Sequence, residues 1–305
     1  MRNTFINTLV KCAEKDKTIC LITGDLGFGV ITPFVNKFPD RFINAGIAEQ
    51  NMTGVAAGMA KEGKKIVTYS IGNFPTMRCL EQIRNDCAYH DADVKVVCVG
   101  GGLVYGAHGM SHHATEDIAI MRALPNVTVF APGDLVEAEE VTKAMFKHKG
   151  TCYLRLGRGG EKRIHTKIEN FKIGKAVKIK DGNDIAIFST GAILDVAIQT
   201  AEILEQDGYS VAVCSFPTIK PIDKETVLFY SKKCKAIATI EEHNIVGGFG
   251  GAIAEIMAEN PAKAKLIRNG LNDTYSSIVG SQEYLREIYG ISPRQVAMKI
   301  IECYK

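Results

Sequence analysis

The chain has 305 residues, of which 46% are hydrophobic and 23% are charged, and 37 basic against 34 acidic residues give a net charge of only +3. This length fits two globular domains, each able to bury its own core. The nearly balanced charge excludes the strongly basic surface that nucleic acid or an anionic membrane would require. We therefore expect neither as a partner and predict small-molecule chemistry.

The nine cysteines are scattered singly along the chain, without a Cys-x-x-Cys pair. This argues against a disulfide framework and a thiolate zinc site, and it favours a reducing, cytoplasmic location. The first segment, MRNTFINTLVKCAEKDK, predicts an amphipathic helix with charges throughout. No stretch approaches the ~20 apolar residues of a membrane span. We therefore expect neither export nor membrane insertion.

The first half of the chain alternates short β-branched runs with helical periodicity. Strands are predicted at TICLIT, RFINA, KKIVTYS, VKVVCVG, VTVFAP and CYLRLG, and helices near 2–14, 48–62, 74–89, 113–123 and 134–148. This alternation predicts a mostly parallel sheet with helices on both faces. The pattern then stops in a stretch rich in Gly and Lys, at residues 157–175.

The same pattern restarts in the second half. Strands are predicted at DIAIFST, SVAVCSF, CKAIATI and AKLIRNG, and helices near 191–207, 223–232, 248–259 and 294–303. The sequence thus predicts two parallel-sheet α/β domains, at 1–165 and 180–305, joined by a linker at 166–179. Ligands of such sheets bind beyond the carboxyl ends of the strands. The segments ITGDLGFG, YSIGNF, VGGGLVYGAHG and APGD are predicted to lie there.

One carboxylate, Glu49, begins the predicted helix in GIAEQNMTGVAAGMA, whose small residues allow another surface to approach closely. An acidic residue in a first helical turn is favoured by the helix dipole by about 0.3–1 kcal/mol, which alone explains such a position. Phe74 follows a predicted strand, where it could cap the core or offer a platform for a flat ring. Neither residue alone indicates a function.

The segment GGGLVYGAHGMSHHATEDIAIMRALPN predicts a mobile, ligand-facing loop. Its three histidines, at 108, 112 and 113, lack a carboxylate or cysteine at ligand spacing, so we predict no metal there and favour uncharged histidines lining a polar pocket. The glycines of EEHNIVGGFGGAIAE resemble a nucleotide loop only weakly, and close helix packing explains them better. No motif for holding magnesium diphosphate is present. A cofactor with a phosphate tail would therefore need a second chain.

Four segments in this order, NAGIAEQNMTGVAAGMA, FPTMRCLEQIRND, GMSHHATEDIAIMRALPNVTVFAPGD and EEHNIVGGFGGAIAE, resemble the C-terminal half of transketolase. The resemblance implies a pyrimidine-binding domain followed by a transketolase C-terminal domain. Full-length transketolases have a further N-terminal domain, with a Gly-Asp-Gly motif that this sequence lacks. The chain thus resembles the second subunit of a split transketolase that depends on thiamine diphosphate.

By this resemblance, Glu49 hydrogen-bonds the aminopyrimidine ring of the cofactor and favours the imino tautomer that deprotonates the thiazolium carbon. A carboxyl group in an apolar pocket retains its proton and can share it with a weakly basic ring nitrogen. Phe74 corresponds to the residue that stacks on the pyrimidine, and Ile71 to another aromatic of that pocket. Asp25 and Arg78 complete the expected cofactor-binding set.

The expected substrate-binding residues follow from the same resemblance. His112 corresponds to a histidine near the carbonyl end of the donor ketose, while Arg158 and Arg2 match two arginines that hold a distal phosphate. Two positions depart from the usual pattern: His108 replaces an aspartate, and Gly100 replaces a histidine. These changes, with Gly29 in place of a phosphate-site serine, favour an altered donor over ordinary pentose phosphates.

The expected activity is transfer of a two-carbon ketol unit from a ketose with an anionic tail to an aldose phosphate. The donor would be a sugar phosphate or a sulfo-sugar such as a 6-sulfo-ketohexose. An N-terminal subunit would bind the diphosphate and Mg (or Ca) in an α2β2 heterotetramer. The alternative is carboligation or decarboxylation, as in 1-deoxyxylulose-5-phosphate synthase or the β subunit of 2-oxoacid dehydrogenases.

Overall fold

In the computed structural model, which describes residues 1–304, the chain folds around two separate sheets. The first contains β1 (Ile19–Thr23), β2 (Phe42–Asn44), β3 (Lys65–Ile71), β4 (Val94–Val99), β5 (Thr128–Phe130), β6 (Cys152–Leu156) and β10 (Thr218–Lys220). Their order across the sheet is β10-β5-β6-β4-β3-β1-β2. All neighbours are parallel except β10 and β5. The predicted parallel α/β fold is confirmed for this half.

The helices of the first half cover both faces of this sheet. They are α1 (Arg2–Lys15), α2 (Thr32–Lys37), α3 (Glu49–Lys61), α4 (Leu80–Gln82), α5 (Asp117–Ala123) and α6 (Leu135–Lys147). Residues of α1 and α6 pack with Ile19 and Leu21 on one face, and residues of α3 pack with Cys20 and Ile22 on the other. Every residue of β4 is buried, as expected for a central strand covered on both sides.

The second sheet contains β7 (Val177–Lys180), β8 (Ile185–Ser189), β9 (Val211–Ser215), β11 (Ala236–Asn244) and β12 (Lys265–Leu271), in the order β12-β11-β8-β9-β7. Its helices are α7 (Leu194–Gln206), α8 (Lys224–Lys233), α9 (Phe249–Glu259), α10 (Gln282–Ile288) and α11 (Pro293–Tyr304). The edge strand β7 is antiparallel, and the other neighbours are parallel. The second predicted parallel α/β unit is also confirmed.

The two halves are joined by a strand that crosses between the sheets. β10 follows β9 of the second sheet in the chain, but it pairs with β5 at the edge of the first sheet. It has only three residues, so it carries too little alternation to be predicted from sequence. The strand β7 begins at Val177, within the stretch 166–179 that was expected to be a linker.

Two predicted helices differ from the structure. The helix expected near 74–89 is a 3₁₀ turn (Met77–Cys79), the short α4 and a π-helical turn (Ile83–Ala88). The helix expected near 113–123 begins only at Asp117, because Ala114 forms a β-bridge with Gly102. Helices α2 and α10 were not predicted. The segment just before α5 is thus less helical than its periodicity indicates.

Candidate active site

Glu49 begins α3 at the carboxyl ends of β1 and β3, and its side chain is buried. Only 2% of it is exposed, and Gly24 makes room for it: a Cβ at Gly24 would lie 3.3 Å from Glu49 Oε1. The helix dipole explains an acidic residue at this position, but a buried carboxylate also needs a partner. Arg78 is that partner, since its Nη1 donates to Glu49 Oε2 at 2.6 Å.

The guanidinium of Arg78 also lies over the ring of Phe74, with 4.4 Å from Cζ to the ring centroid. A planar cation is thus in contact with an aromatic ring and with a buried carboxylate. The Arg78 side chain is 43% exposed, so solvent reaches this cluster. The structure therefore brings Glu49, Phe74 and Arg78 together, three of the five residues predicted to bind the cofactor.

The other two, Asp25 and Ile71, lie at the same end of the sheet. Ile71 is the last residue of β3 and is half-buried. Asp25 is exposed and exchanges two hydrogen bonds with Asn44: its backbone N–H donates to Asn44 Oδ1 at 3.0 Å, and Asn44 Nδ2 donates to its Oδ1 at 2.9 Å. These bonds join the loop after β1 to the end of β2, so Asp25 shapes the rim beside Glu49.

A group of aromatic and imidazole rings extends the cluster. The ring centroids of Phe74 and His112 are 5.2 Å apart, those of His112 and His108 are 5.0 Å apart, and Tyr105 contacts both histidines. Burial, and the neighbouring His108, lower the pKa of His112. An uncharged His112 agrees with the sequence-based expectation for this loop. His112 can then donate or accept one hydrogen bond beside Phe74.

The loop that carries these histidines lies in close backbone contact with the first sheet. Gly72 follows β3 with a positive φ of 49°, and a Cβ there would lie only 2.8 Å from the carbonyl oxygen of His112. The glycine therefore permits the loop to lie directly on the strand end. This contact sets the position of His112 relative to Phe74, two residues after Gly72.

Buried charged residues from both halves of the chain also bind this loop. Glu242, on β11, accepts a hydrogen bond from the backbone N–H of Leu103 at 2.6 Å. Arg155, on β6, donates to the carbonyls of Ala114 and Glu242 and pairs with Asp117 at 2.8 Å. Sequence reasoning did not find this network. The charged residues within otherwise apolar strands, in CYLRLG and ATIEEHN, were the available signal.

The predicted anion-binding arginines converge on Tyr105. The Cζ of Arg158, an exposed side chain, lies 5.2 Å from the Tyr105 ring centroid, and the charge of Arg2 also acts on that residue. Arg2 lines a cleft of about 270 Å³ together with Gly29. Gly100 lies against the Cδ2–Cε2 edge of the tyrosine ring. The structure therefore places Arg2, Arg158 and Gly100 around one residue that was not among the predicted site residues.

A buried cluster of Asp134, Glu137 and His165 lies outside this region and has a composition that can bind metal. Its geometry is that of a helix cap. Asp134 accepts from the N–H of Glu137 at 2.8 Å, and Glu137 accepts from the N–H of Gly133 at 2.6 Å, at the start of α6. His165 lies between the two carboxylates, 3.2 Å from Asp134 and 3.8 Å from Glu137. An imidazolium in that position balances the charge of Asp134, while burial raises the pKa of Glu137 to about 7.

The glycine-rich EEHNIVGGFGG segment is explained by packing, as expected. Glu241 accepts hydrogen bonds from the N–H groups of Phe249 and Gly250, at the start of α9. A Cβ at Gly248 would lie 2.2 Å from Glu241 Oε2. The helix terminus is thus occupied by the protein's own carboxylate, which takes the place that a phosphate would need. Burial raises the pKa of Glu241 to about 7.

Comparison with known protein families assigns both halves of the chain. Residues 1–160 match the transketolase pyrimidine-binding domain, and residues 174–296 match the transketolase C-terminal domain. The chain belongs to the transketolase family. The resemblance inferred from the motifs is thereby confirmed, and the predicted order of the two domains is the one observed.

Transketolase relatives of similar length support this assignment. A transketolase C-terminal section from Methanocaldococcus jannaschii is 39% identical over 99% of this chain and 95% of its own length. A 6-deoxy-6-sulfo-D-fructose transketolase subunit from Clostridium sp. (strain MSTE9) is 34% identical over 97% of this chain and 92% of its own length. A split-gene transketolase solved as an inactive β4 tetramer superposes with a TM-score of 0.89 and is 32% identical over 99% of this chain and 97% of its own.

The transketolase family implies dependence on thiamine diphosphate. Within residues 1–304, none of the helices is long and apolar enough to serve as a membrane span. All nine cysteines are unpaired, and seven of them are buried.

Proposed function

We propose that this chain is the subunit of a split transketolase that binds the pyrimidine end of thiamine diphosphate. The activity would be transfer of a two-carbon ketol unit from a ketose with an anionic tail to an aldose phosphate. The observation that carries the proposal is the arrangement of Glu49, Arg78 and Phe74. It offers a buried carboxyl group and an aromatic face to a flat, nitrogen-containing ring.

The contacts of the Arg78 guanidinium indicate that an aminopyrimidine ring fits between Phe74 and Glu49. The guanidinium is itself a flat group that stacks on Phe74 and hydrogen-bonds Glu49, which are the two contacts expected of an aminopyrimidine ring. We infer that Arg78 moves aside when the ring binds. Glu49 would lose its positive partner at that moment. A buried carboxyl group without a counter-charge holds its proton, and Glu49 could share that proton with a ring nitrogen.

When bound, thiamine diphosphate would supply the carbon nucleophile that accepts the ketol unit. The residues of this chain would orient the reaction around it. His112, whose pKa is lowered, lies beside Phe74 and would hydrogen-bond the donor near its carbonyl. Arg158 and Arg2 would bind the anionic tail, since a guanidinium fork matches phosphate and sulfonate oxygens.

The altered positions His108 and Gly100 support a donor other than an ordinary pentose phosphate. A relative at 34% identity is described as a transketolase subunit for 6-deoxy-6-sulfo-D-fructose, a ketose with a sulfonate tail. A sulfo-ketohexose or a branched sugar phosphate is therefore the donor class that we propose first. His108 would face this donor from beside His112.

An N-terminal subunit would complete the site by binding the diphosphate and Mg (or Ca), within an α2β2 heterotetramer. Large apolar side chains are exposed beside Glu49: Phe28, after β1, is 75% exposed, and Ile47, before α3, is 78% exposed. Exposed apolar groups that surround a polar site are typical of a protein interface. The reduced cysteines are in keeping with a cytoplasmic complex.

Hydrogen–deuterium exchange at the thiazolium carbon tests the role of Glu49 in the complex reconstituted from both subunits. Glu49→Gln keeps the shape of the side chain but cannot share a proton in the same way, so exchange should slow by ~10²–10⁴-fold. Glu62→Gln, an exposed change at the other end of α3, is the matched control and should exchange at the wild-type rate. Wild-type exchange in Glu49→Gln would refute the proposal.

A further inference from the structure

Tyr105 occupies the space that a side chain at position 100 would need. Gly100 has a positive φ of 87°, and a Cβ built on it would lie 2.1 Å from Tyr105 Cε2 and 2.2 Å from Cδ2. No side chain fits there while the tyrosine ring keeps its place. Tyr105 itself is 7% exposed, so its position is fixed by its surroundings. Gly100 and Tyr105 therefore form one coupled pair, at a position where transketolases usually have a histidine.

The two arginines of the proposed anion site act on Tyr105 through their charge. The guanidinium of Arg158 lies over the ring, 5.2 Å from its centroid. Burial raises the pKa of the Tyr105 hydroxyl, while the positive charges of Arg158 and Arg2 oppose this rise. Arg2 Nε is buried without a hydrogen-bond partner within residues 1–304. A buried donor without a partner is rare, and an anionic oxygen would satisfy it.

The ring of Tyr105 faces the histidines at the carbonyl end of the site. Its centroid is 5.6 Å from that of His108, in an edge-to-face contact, and 6.4 Å from that of His112. Tyr105 therefore lies between the residues proposed to bind the two ends of the donor. It presents an apolar ring where a histidine at position 100 could have offered a hydrogen bond to a sugar hydroxyl.

We propose that Tyr105 is a specificity-determining residue, which places Arg2 and Arg158 around the anionic tail and closes the space that a hydroxyl-binding side chain would fill. Recognition of the donor then depends more on its three-oxygen anion, a phosphate or a sulfonate, than on the hydroxyl groups between its carbonyl and its anionic tail. This inference rests on the proposed ketol transfer.

The test compares Tyr105→Phe, Tyr105→Leu and wild type in the complex of both subunits. Donors are 6-deoxy-6-sulfofructose and fructose 6-phosphate, with uncharged erythrulose as reference. Tyr105→Phe removes the hydroxyl but keeps the ring, so KM for both anionic donors should rise about tenfold, with kcat and the erythrulose kinetics unchanged. Tyr105→Leu also removes the ring beneath Arg158 and should raise KM further.

Tyr230→Phe is the matched control. Tyr230 lies in the second half of the chain and is 3% exposed, and its hydroxyl donates a hydrogen bond to the carboxylate of Asp181. Its loss should leave every KM unchanged. Adding Tyr105→Phe to an Arg2→Ala background should change little, because in this proposal the hydroxyl acts on the donor through the charge of Arg2. Equal loss for charged and uncharged donors would show a merely structural role and overturn the inference.

Calorimetric titration with inorganic phosphate separates this inference from the proposed function. The wild-type complex should bind phosphate about tenfold more tightly than Tyr105→Phe, whether or not ketol transfer is observed. Absence of transfer with retained, tyrosine-dependent phosphate binding would overturn the proposed function alone. Equal phosphate affinity in the two proteins, or no phosphate binding by wild type, would overturn the role of Tyr105.

Discussion

Replacement of Arg155 by methionine should strongly destabilise the chain. Arg155 is 4% exposed and donates to Asp117 Oδ2 at 2.8 Å, to the Ala114 carbonyl at 2.8 Å and to the Glu242 carbonyl at 2.9 Å. Methionine preserves much of the volume but makes none of these bonds. Asp117, which is fully buried, would lose its positive partner and keep only the hydrogen bond from the Tyr153 hydroxyl.

The expected cost follows from leaving a buried acidic group without its partner. Removing one partner of a buried ion pair typically lowers the free energy of unfolding by about 3–5 kcal/mol. The control is Arg122→Met, because Arg122 pairs with Glu255, a side chain that is 60% exposed, and otherwise donates, within residues 1–304, only to the Gly247 carbonyl at 3.0 Å. Losing such a surface pair should cost only about 1 kcal/mol or less. The contrast between two arginines of one domain isolates the effect of burial.

Urea denaturation followed by circular dichroism measures both variants. Adding Asp117→Asn to Arg155→Met should recover about 1–2 kcal/mol, since the stranded group is then neutral. Ketol transfer in the reconstituted complex should fall more in Arg155→Met than in Arg122→Met, because the loop carrying His112 loses its attachment at Ala114. A loss below about 1 kcal/mol in Arg155→Met, or no recovery in the double variant, would refute this reasoning.

Two further changes address the proposed anion site and the buried cap of α6. Arg158→Ala should lower kcat/KM for phosphorylated and sulfonated donors by about ten- to a hundredfold and leave an uncharged ketose unaffected, and equal losses would show that the arginine is structural. Burial disfavours the charged His165, but its bond to Asp134 and the charge of Glu137 outweigh burial and raise the pKa of His165. Its contribution to stability is therefore fully present below the unfolded pKa of about 6.5 and is lost as pH rises through the folded pKa. His165→Gln should then cost more in urea denaturation at pH 6 than at pH 8.5, whereas equal costs would contradict this assignment.

The sequence was sufficient for the parts of the fold that depend on local patterns. Apolar β-branched runs such as VKVVCV predicted central strands, since burial on both faces leaves a continuous signal. Strands β7 and β10 were missed because their positions depend on neighbours distant in the chain. The helix expected from His113 was shortened because Ala114 pairs with Gly102, a contact that no periodicity encodes.

The candidate site was predicted unevenly for the same reason. Glu49, Phe74 and Arg78 lie in segments with strong resemblance, and the structure brings their side chains together. Tyr105 was missed because its importance lies in the space above Gly100, which only three-dimensional packing reveals. The buried charges that hold the histidine loop come from β6 and β11, and their pairing across the two halves is likewise invisible in the sequence.

The central claim is that this chain supplies half of a transketolase active site. The most direct measurement is ketol transfer by this chain mixed with its N-terminal subunit, thiamine diphosphate and Mg²⁺, compared with each subunit alone. We expect turnover of a ketose with an anionic tail in the mixture and none by either subunit alone. Turnover by the isolated chain, or an inactive mixture in which both subunits are folded and associated, would contradict it.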